Sequence, residues 1–132
     1  MDQDFNLHAW DLEDESCVDF PKGVHKQRVI DYAELHQIRQ IALCSLDRKI
    51  VIWTAHDRKV LQIIEMEGVS AHQMRFSPFF RTLASIGFEK EVSIFTFDRL
   101  NECQLTKKLQ GHQALLTALT FLTNIPTLLT AD

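Results

Sequence analysis

The chain contains the three residue types of an acyl-transfer triad: His25, Ser45 and Asp47, with Trp53 shortly beyond them. In such a triad the imidazole takes the proton of the hydroxyl while the carboxylate holds the ring in the useful tautomer. That chemistry also needs an oxyanion hole and an accessible pocket, and residue types alone supply neither. Other chemistries find less. The six histidines are scattered without metal-ligand spacing, and Cys17, Cys44 and Cys103 contain no Cys-x-x-Cys pair, so no zinc site is expected. There is no glycine-rich phosphate loop and no calcium-loop pattern. We therefore expect no cofactor, no metal and no catalytic residue. An odd cysteine count without a framework fits a reducing compartment, hence a cytoplasmic location. Cys44 lies inside an apolar run and is expected to be inert.

The elements that must position these residues are visible as a repeat. IALCSLDRKIVIWT (41–54) aligns without a gap over LASIGFEKEVSIFT (83–96), at an offset of 42. Upstream, LHAW (7–10) matches IVIW (50–53). Downstream, FLTNIPTLLTA (121–131) matches FSPFFRTLASI (76–86). Gly23, Gly68 and Gly111 open the successive units. Each unit reads as short strands rich in Val, Ile, Phe and Thr, separated by turn clusters. The second and third strands are apolar at nearly every position (IALC, IVIW), as in a strand buried on both faces between stacked sheets. Four strands in a unit of about 40–45 residues is the pattern of a propeller blade.

These motifs resemble the WD-repeat family. Gly111-His112 is similar to its opener, Phe76-Ser77-Pro78 and Leu83-Ala84-Ser85 to its first and second strands, and Trp10-Asp11 to its closing dipeptide. The resemblance covers nearly the whole chain and implies an all-β fold: a partial WD40 β-propeller with about two full four-stranded blades and a partial blade at each end. The units are 5–20 (the end of a blade), 23–66, 67–110 and 111–132 (the first half of a blade). A propeller closes with roughly 4–8 blades. We therefore expect a segment of a longer protein, or a ring completed by another chain. In that family a His, a Ser or Thr, an Asp and the Trp form a hydrogen-bonded staple, and His25, Ser45, Asp47 and Trp53 stand at the matching positions. A buried imidazole and a buried indole N–H both need partners, which supports a structural role over a catalytic one. The middle unit departs from the pattern: Val69 stands for the His, Glu89 for the Asp and Phe95 for the Trp.

Binding in such a fold belongs to turns. Ile38, Phe80 and Ile125 align at one blade position, with Phe79 beside Phe80. The row is either a partner-docking strip or local packing under the turn. Arg48, Lys49 and Lys90 occupy turns of the opposite rim and are candidates for acidic partners. The formal net charge is −4, which disfavours nucleic acid. From Ala114 to Ala131 the chain is uncharged, but five threonines and the turn signal Asn124-Ile125-Pro126 point to two strands and away from a membrane span. The acidic start MDQDFNLHAWDLEDE has no signal-peptide character.

The expected function is a noncatalytic scaffold that binds other proteins. A propeller with an enzymatic or ligand-binding site in its central channel is the alternative. SLDRKIVIW, SIGFEKEVSIF and the GH unit ending LLTAD also resemble the proteins of motile cilia that combine calcium-binding helix-loop-helix hands with WD repeats. That likeness implies an axonemal, microtubule-associated assembly, with any calcium hands outside this segment.

Overall fold

The computed structural model describes residues 5–132, and these form antiparallel sheets with no α-helix. Strands β1 (His8–Trp10) and β2 (Cys17–Asp19) pair as a first sheet. The second sheet runs in order β3 (Val29–Leu35), β4 (Gln40–Ser45), β5 (Lys49–Thr54) and β6 (Val60–Glu65). The third repeats it with β7 (Ala71–Ser77), β8 (Thr82–Gly87), β9 (Val92–Phe97) and β10 (Cys103–Leu109). The fourth holds β11 (Ala118–Phe121) and β12 (Leu128–Ala131). The chain is thus all-β, with two complete four-stranded blade-like sheets between two half sheets and no closed barrel. No helix among the described residues is long and apolar enough to cross a membrane, and the uncharged 114–131 stretch folds as the β11–β12 hairpin.

The repeat is written in the backbone as well as in the sequence. Arg39, Arg81 and Asn124, one in each turn between first and second strands, all adopt positive φ (53°, 51° and 63°). Glu15, Arg58 and Asn101 do the same in the turns between third and fourth strands (60°, 54° and 61°). An L-residue other than glycine rarely enters this region unless the turn demands it. Arg39 and Arg81 each stand directly before the second strand, and Glu15, Arg58 and Asn101 each two residues before the fourth, so these turns recur under different side chains.

The core lies between sheets. On β4 and β5, Ala42, Cys44, Ile50 and Ile52 face the third sheet, where they meet Met74, Leu83, Phe95 and Phe97. The alternate residues Leu43, Val51 and Trp53 face the first sheet and pack with Phe20. Ala84, Ile86, Val92 and Ile94 face the fourth sheet and meet Leu116 and Leu119. Side chains alternate across a strand, so strands apolar at every position bury both faces. Two polar clamps reinforce the middle interface. At the inner strands, Asp31 Oδ2 accepts from Met74 N (2.8 Å) and Arg75 Nη1 (3.3 Å). At the outer strands, the Gln62 side-chain amide grips one peptide unit: Cys103 N–H donates to Oε1 (2.9 Å) and Nε2 donates to Cys103 O (2.5 Å).

Candidate functional site

His25, Ser45 and Asp47 come together where the chain enters the second sheet. Asp47 follows β4 and caps the turn, accepting from Lys26 N at Oδ2 (2.9 Å) and from Lys49 N at Oδ1 (3.1 Å). Ser45 Oγ donates to Gln27 O (2.8 Å) and accepts from Asp47 N (3.3 Å). His25 is buried, with Nδ1 3.6 Å from Asp47 Oδ2, just beyond hydrogen-bond length. Burial lowers its pKa, and the opposing pull of the Asp47 charge does not overcome this. The ring is neutral at neutral pH. The hydroxyl is committed to backbone, and both imidazole nitrogens lack hydrogen-bond partners. The set ties the entering loop to the β4–β5 turn. It does not present a nucleophile.

Trp53 differs from the expected staple. Its indole is buried and meets Phe20 edge-on (centroids 5.2 Å apart, planes at 88°), yet Nε1 has no hydrogen-bond partner. The Ser45 hydroxyl already donates to Gln27 O and accepts from Asp47 N–H, so the indole is held by packing alone.

The structure reveals a second set that the sequence reading left unassigned. His112 Nε2 lies 2.6 Å from Thr130 Oγ1 and His112 Nδ1 lies 3.1 Å from Asp132 Oδ2. Gln113 N and Ala114 N both donate to that oxygen (3.1 and 3.3 Å). The Ala114 amide, then the His112 ring and the Gln113 amide, hold the Asp132 carboxyl below its usual range. Only part of the signal was present: Gly111-His112 has the opener pattern, whereas Thr130 and Asp132 align with Leu43 and Ser45, so the alignment does not mark them as partners of the ring. In the third sheet the position of Ser45 is taken by Gly87, where a Cβ would stand 2.5 Å from Ser70 O. Strands β7 and β8 close together there without a polar set.

The rim residues divide. Phe79 is 64% exposed and Ile125 48% exposed. Phe80 is half-buried, its ring 4.8 Å from that of Phe79 in a T-shaped contact. Ile38 is half-buried and packs against the central cluster, because the short 3-10 turn His36–Ile38 folds it inward. A depression of about 220 Å³ joins the turns of the third and fourth sheets, lined by Phe76, Pro78, Phe79, Phe121, Leu122 and Asn124 among others. On the opposite rim Arg48 and Lys90 are exposed and Lys49 is half-buried. Arg48 and Lys49 share their pocket with Asp47, Glu65 and Glu67, so the local charge is mixed.

One cluster had no spacing signal. Pairing of β1 with β2 brings ligand atoms of His8, Cys17 and Asp19 within 4.8 Å of one another on an exposed face, and His8 Nδ1 meets Asp19 Oδ1 at 2.6 Å. The three residues are separated in sequence by the β1–β2 turn, and only the pairing joins them. The cysteines are all free: Cys17 is exposed, while Cys44 and Cys103 are buried, which raises both thiols to about 12. No family model matches this sequence, and no curated protein matches it.

Proposed function

We propose that this chain is a noncatalytic protein-interaction module of the WD-repeat kind, binding other proteins through the turns at one rim of its stacked sheets. The observation that carries the reading is Phe79, exposed beside a depression that its turn shares with the turn of the next sheet, where Ile125 is exposed as well. Exposed apolar clusters on rigid scaffolds mark contact surfaces, since leaving them in water has a cost that a partner removes. A catalytic use of His25, Ser45 and Asp47 is disfavoured because the hydroxyl is committed to a carbonyl and the ring is buried. The likeness to ciliary WD-repeat proteins makes an axonemal, microtubule-based assembly the proposed setting.

The test compares the wild-type chain with Phe79→Asp/Ile125→Asp for capture of proteins extracted from isolated axonemes, with thermal melting measured in parallel. Weaker capture by the variant at unchanged melting supports the reading. Equal capture by both overturns the rim as the contact, and capture of nothing by either overturns the axonemal setting.

A further inference from the structure

The β1–β2 hairpin carries metal-binding side chains that neither polar set uses. His8 stands directly opposite Asp19, and Trp10 directly opposite Cys17. Directly opposed residues of an antiparallel pair share a face, and so do residues two apart along one strand. His8, Cys17 and Asp19 therefore project together from one face, with Trp10 beside them, and all four are exposed. Ala9 points the other way and packs against the cluster around Trp53 and Phe20. The backbone closes the hairpin on both sides of the set: Asp11 N donates to Ser16 O (2.9 Å) toward the turn, and Phe20 N donates to Leu7 O (3.1 Å) at the open end. The pairing thus fixes where the three ligands stand, which no spacing along the sequence reveals.

The donor atoms are close enough to share one ion. His8 Nδ1 lies 2.6 Å and Cys17 Sγ 3.9 Å from the same oxygen, Asp19 Oδ1, and ligand atoms of all three fall within 4.8 Å of one another. Tetrahedral bonds of about 2.0–2.3 Å put donor atoms roughly 3.3–3.8 Å apart. The observed separations bracket that spacing, so rotation of exposed side chains reaches it without moving the strands. His8 Nδ1 is engaged with Asp19, and an ion entering the set takes the place of the hydrogen between them. A thiolate, an imidazole and a carboxylate form a borderline-soft set that suits Zn2+ and not the all-oxygen shells of Ca2+ or Mg2+. Thiolate and carboxylate together balance the two charges of the ion. The turn adds Asp11, Glu13, Asp14 and Glu15, whose field draws cations to this end of the molecule.

We propose that His8, Cys17 and Asp19 bind one Zn2+ tetrahedrally, with water as the fourth ligand, and that the ion staples β1 to β2. Each strand has only three residues, and a two-stranded ribbon is marginal by itself. Cys17 gives up its thiol proton to solvent when the ion binds. Ligands drawn from both strands favour the paired state, so zinc orders the hairpin and, through Ala9 and Phe20, the cover over Trp53. The site uses one outer face of the hairpin and none of the rim residues, so it stands or falls separately from the proposed function.

The test uses the whole chain, reduced and stripped of metal with a chelator, with Co2+ as the spectroscopic stand-in for Zn2+. Titration should saturate at one ion per chain, give the visible bands of tetrahedral cobalt and a thiolate-to-cobalt charge-transfer band, and reverse on addition of Zn2+. Zn2+ should also slow maleimide labelling of Cys17 at least about tenfold, while Ca2+ and Mg2+ leave the rate unchanged. Cys17→Ser should remove the charge-transfer band, and His8→Gln and Asp19→Asn should each weaken cobalt binding at least about tenfold. His56→Gln, in the β5–β6 turn, should leave binding as it is. All four substitutions fall on exposed side chains, and circular dichroism checks that strand content is kept. Hydrogen exchange of the β1 and β2 amides should slow with Zn2+ in the wild type and not in Cys17→Ser. A cobalt spectrum without the thiolate band, full-strength binding by Cys17→Ser, one ion per two chains, or equal protection of Cys17 by Ca2+ overturns the site. Zinc binding that leaves exchange in the hairpin unchanged overturns the staple.

Discussion

The Gln62 clamp offers the sharpest check on how the second and third sheets are held in register. Its amide satisfies both the N–H and the C=O of Cys103, a residue only 1% exposed, at 2.9 and 2.5 Å. Gln62→Leu fills similar volume but leaves the peptide unit of Cys103 without that partner. A buried polar group stripped of its partner costs about 1–3 kcal/mol, so the pair predicts a loss of about 2–6 kcal/mol. Gln62→Glu is more discriminating. Its carboxylate still accepts from Cys103 N–H but sets a charged oxygen against Cys103 O, where Nε2 now donates. Burial and this repulsion hold the new carboxyl above its ordinary value of about 4.3, so the penalty is full at neutral pH and shrinks as pH falls and the acid donates. Urea unfolding of wild type and both variants at pH 7 and pH 4.5 reads these differences, and hydrogen exchange at Cys103 localises them. A Gln62→Leu loss below about 0.5 kcal/mol, or a Gln62→Glu penalty that ignores pH, would refute the clamp as a fixing contact.

The remaining expectations concern single groups. Gly87→Ala drives a Cβ to 2.5 Å from Ser70 O and should destabilise the chain by about 1–3 kcal/mol, read as a lower urea midpoint. The lowered pKa of buried His25 keeps the ring neutral in the fold while the unfolded chain takes up a proton near pH 6.5. Its share of the stability is therefore present above that pH and lost as pH falls toward the folded-state value, at a slope of at most about 1.4 kcal/mol per pH unit. His25→Gln should flatten the wild-type slope between pH 7 and pH 5.5, and an unchanged slope would contradict the assignment. In dilute native protein a maleimide should modify Cys17 rapidly and leave Cys44 and Cys103 untouched, with all three reacting in denaturant.

What the sequence made legible followed from period-2 alternation and from repetition. IALC and IVIW are apolar on both faces, and the structure buries both, against Phe95 on one side and Phe20 on the other. The turn at Asn124 was readable because Asn tolerates positive φ; Arg39 and Arg81, which take positive φ in the corresponding turns of the second and third sheets, carry no such signal. The site was read less completely. Ile38, Phe80 and Ile125 share one alignment column, yet a 3-10 turn folds Ile38 toward the core, whereas Ile125, in the β11–β12 turn, stays in solvent. Composition cannot distinguish these outcomes, because they depend on how one turn closes. The clamps by Asp31 and Gln62 were invisible for a different reason: their partners are backbone amides and a carbonyl some forty residues away.

The third sheet shows why the polar set can be absent from one unit of a repeat. With Val69, Gly87, Glu89 and Phe95 at the four positions, it has neither the imidazole nor the hydroxyl that ties the second sheet together. A buried polar set has a desolvation cost unless every member is partnered, and even in the second sheet His25 and Trp53 leave nitrogens without hydrogen bonds. Replacing it with a fully buried Phe95 and a glycine that lets β7 and β8 approach removes that cost. What is lost is an internal fix on orientation, because apolar packing is not directional. The neighbours supply it. Asp31 and Gln62 reach in from the second sheet at opposite edges, and Leu116 N donates to Glu89 O (3.3 Å) from the chain entering the fourth. The third sheet should therefore be the one most loosened when the clamps are cut, although neither Asp31 nor Gln62 belongs to it.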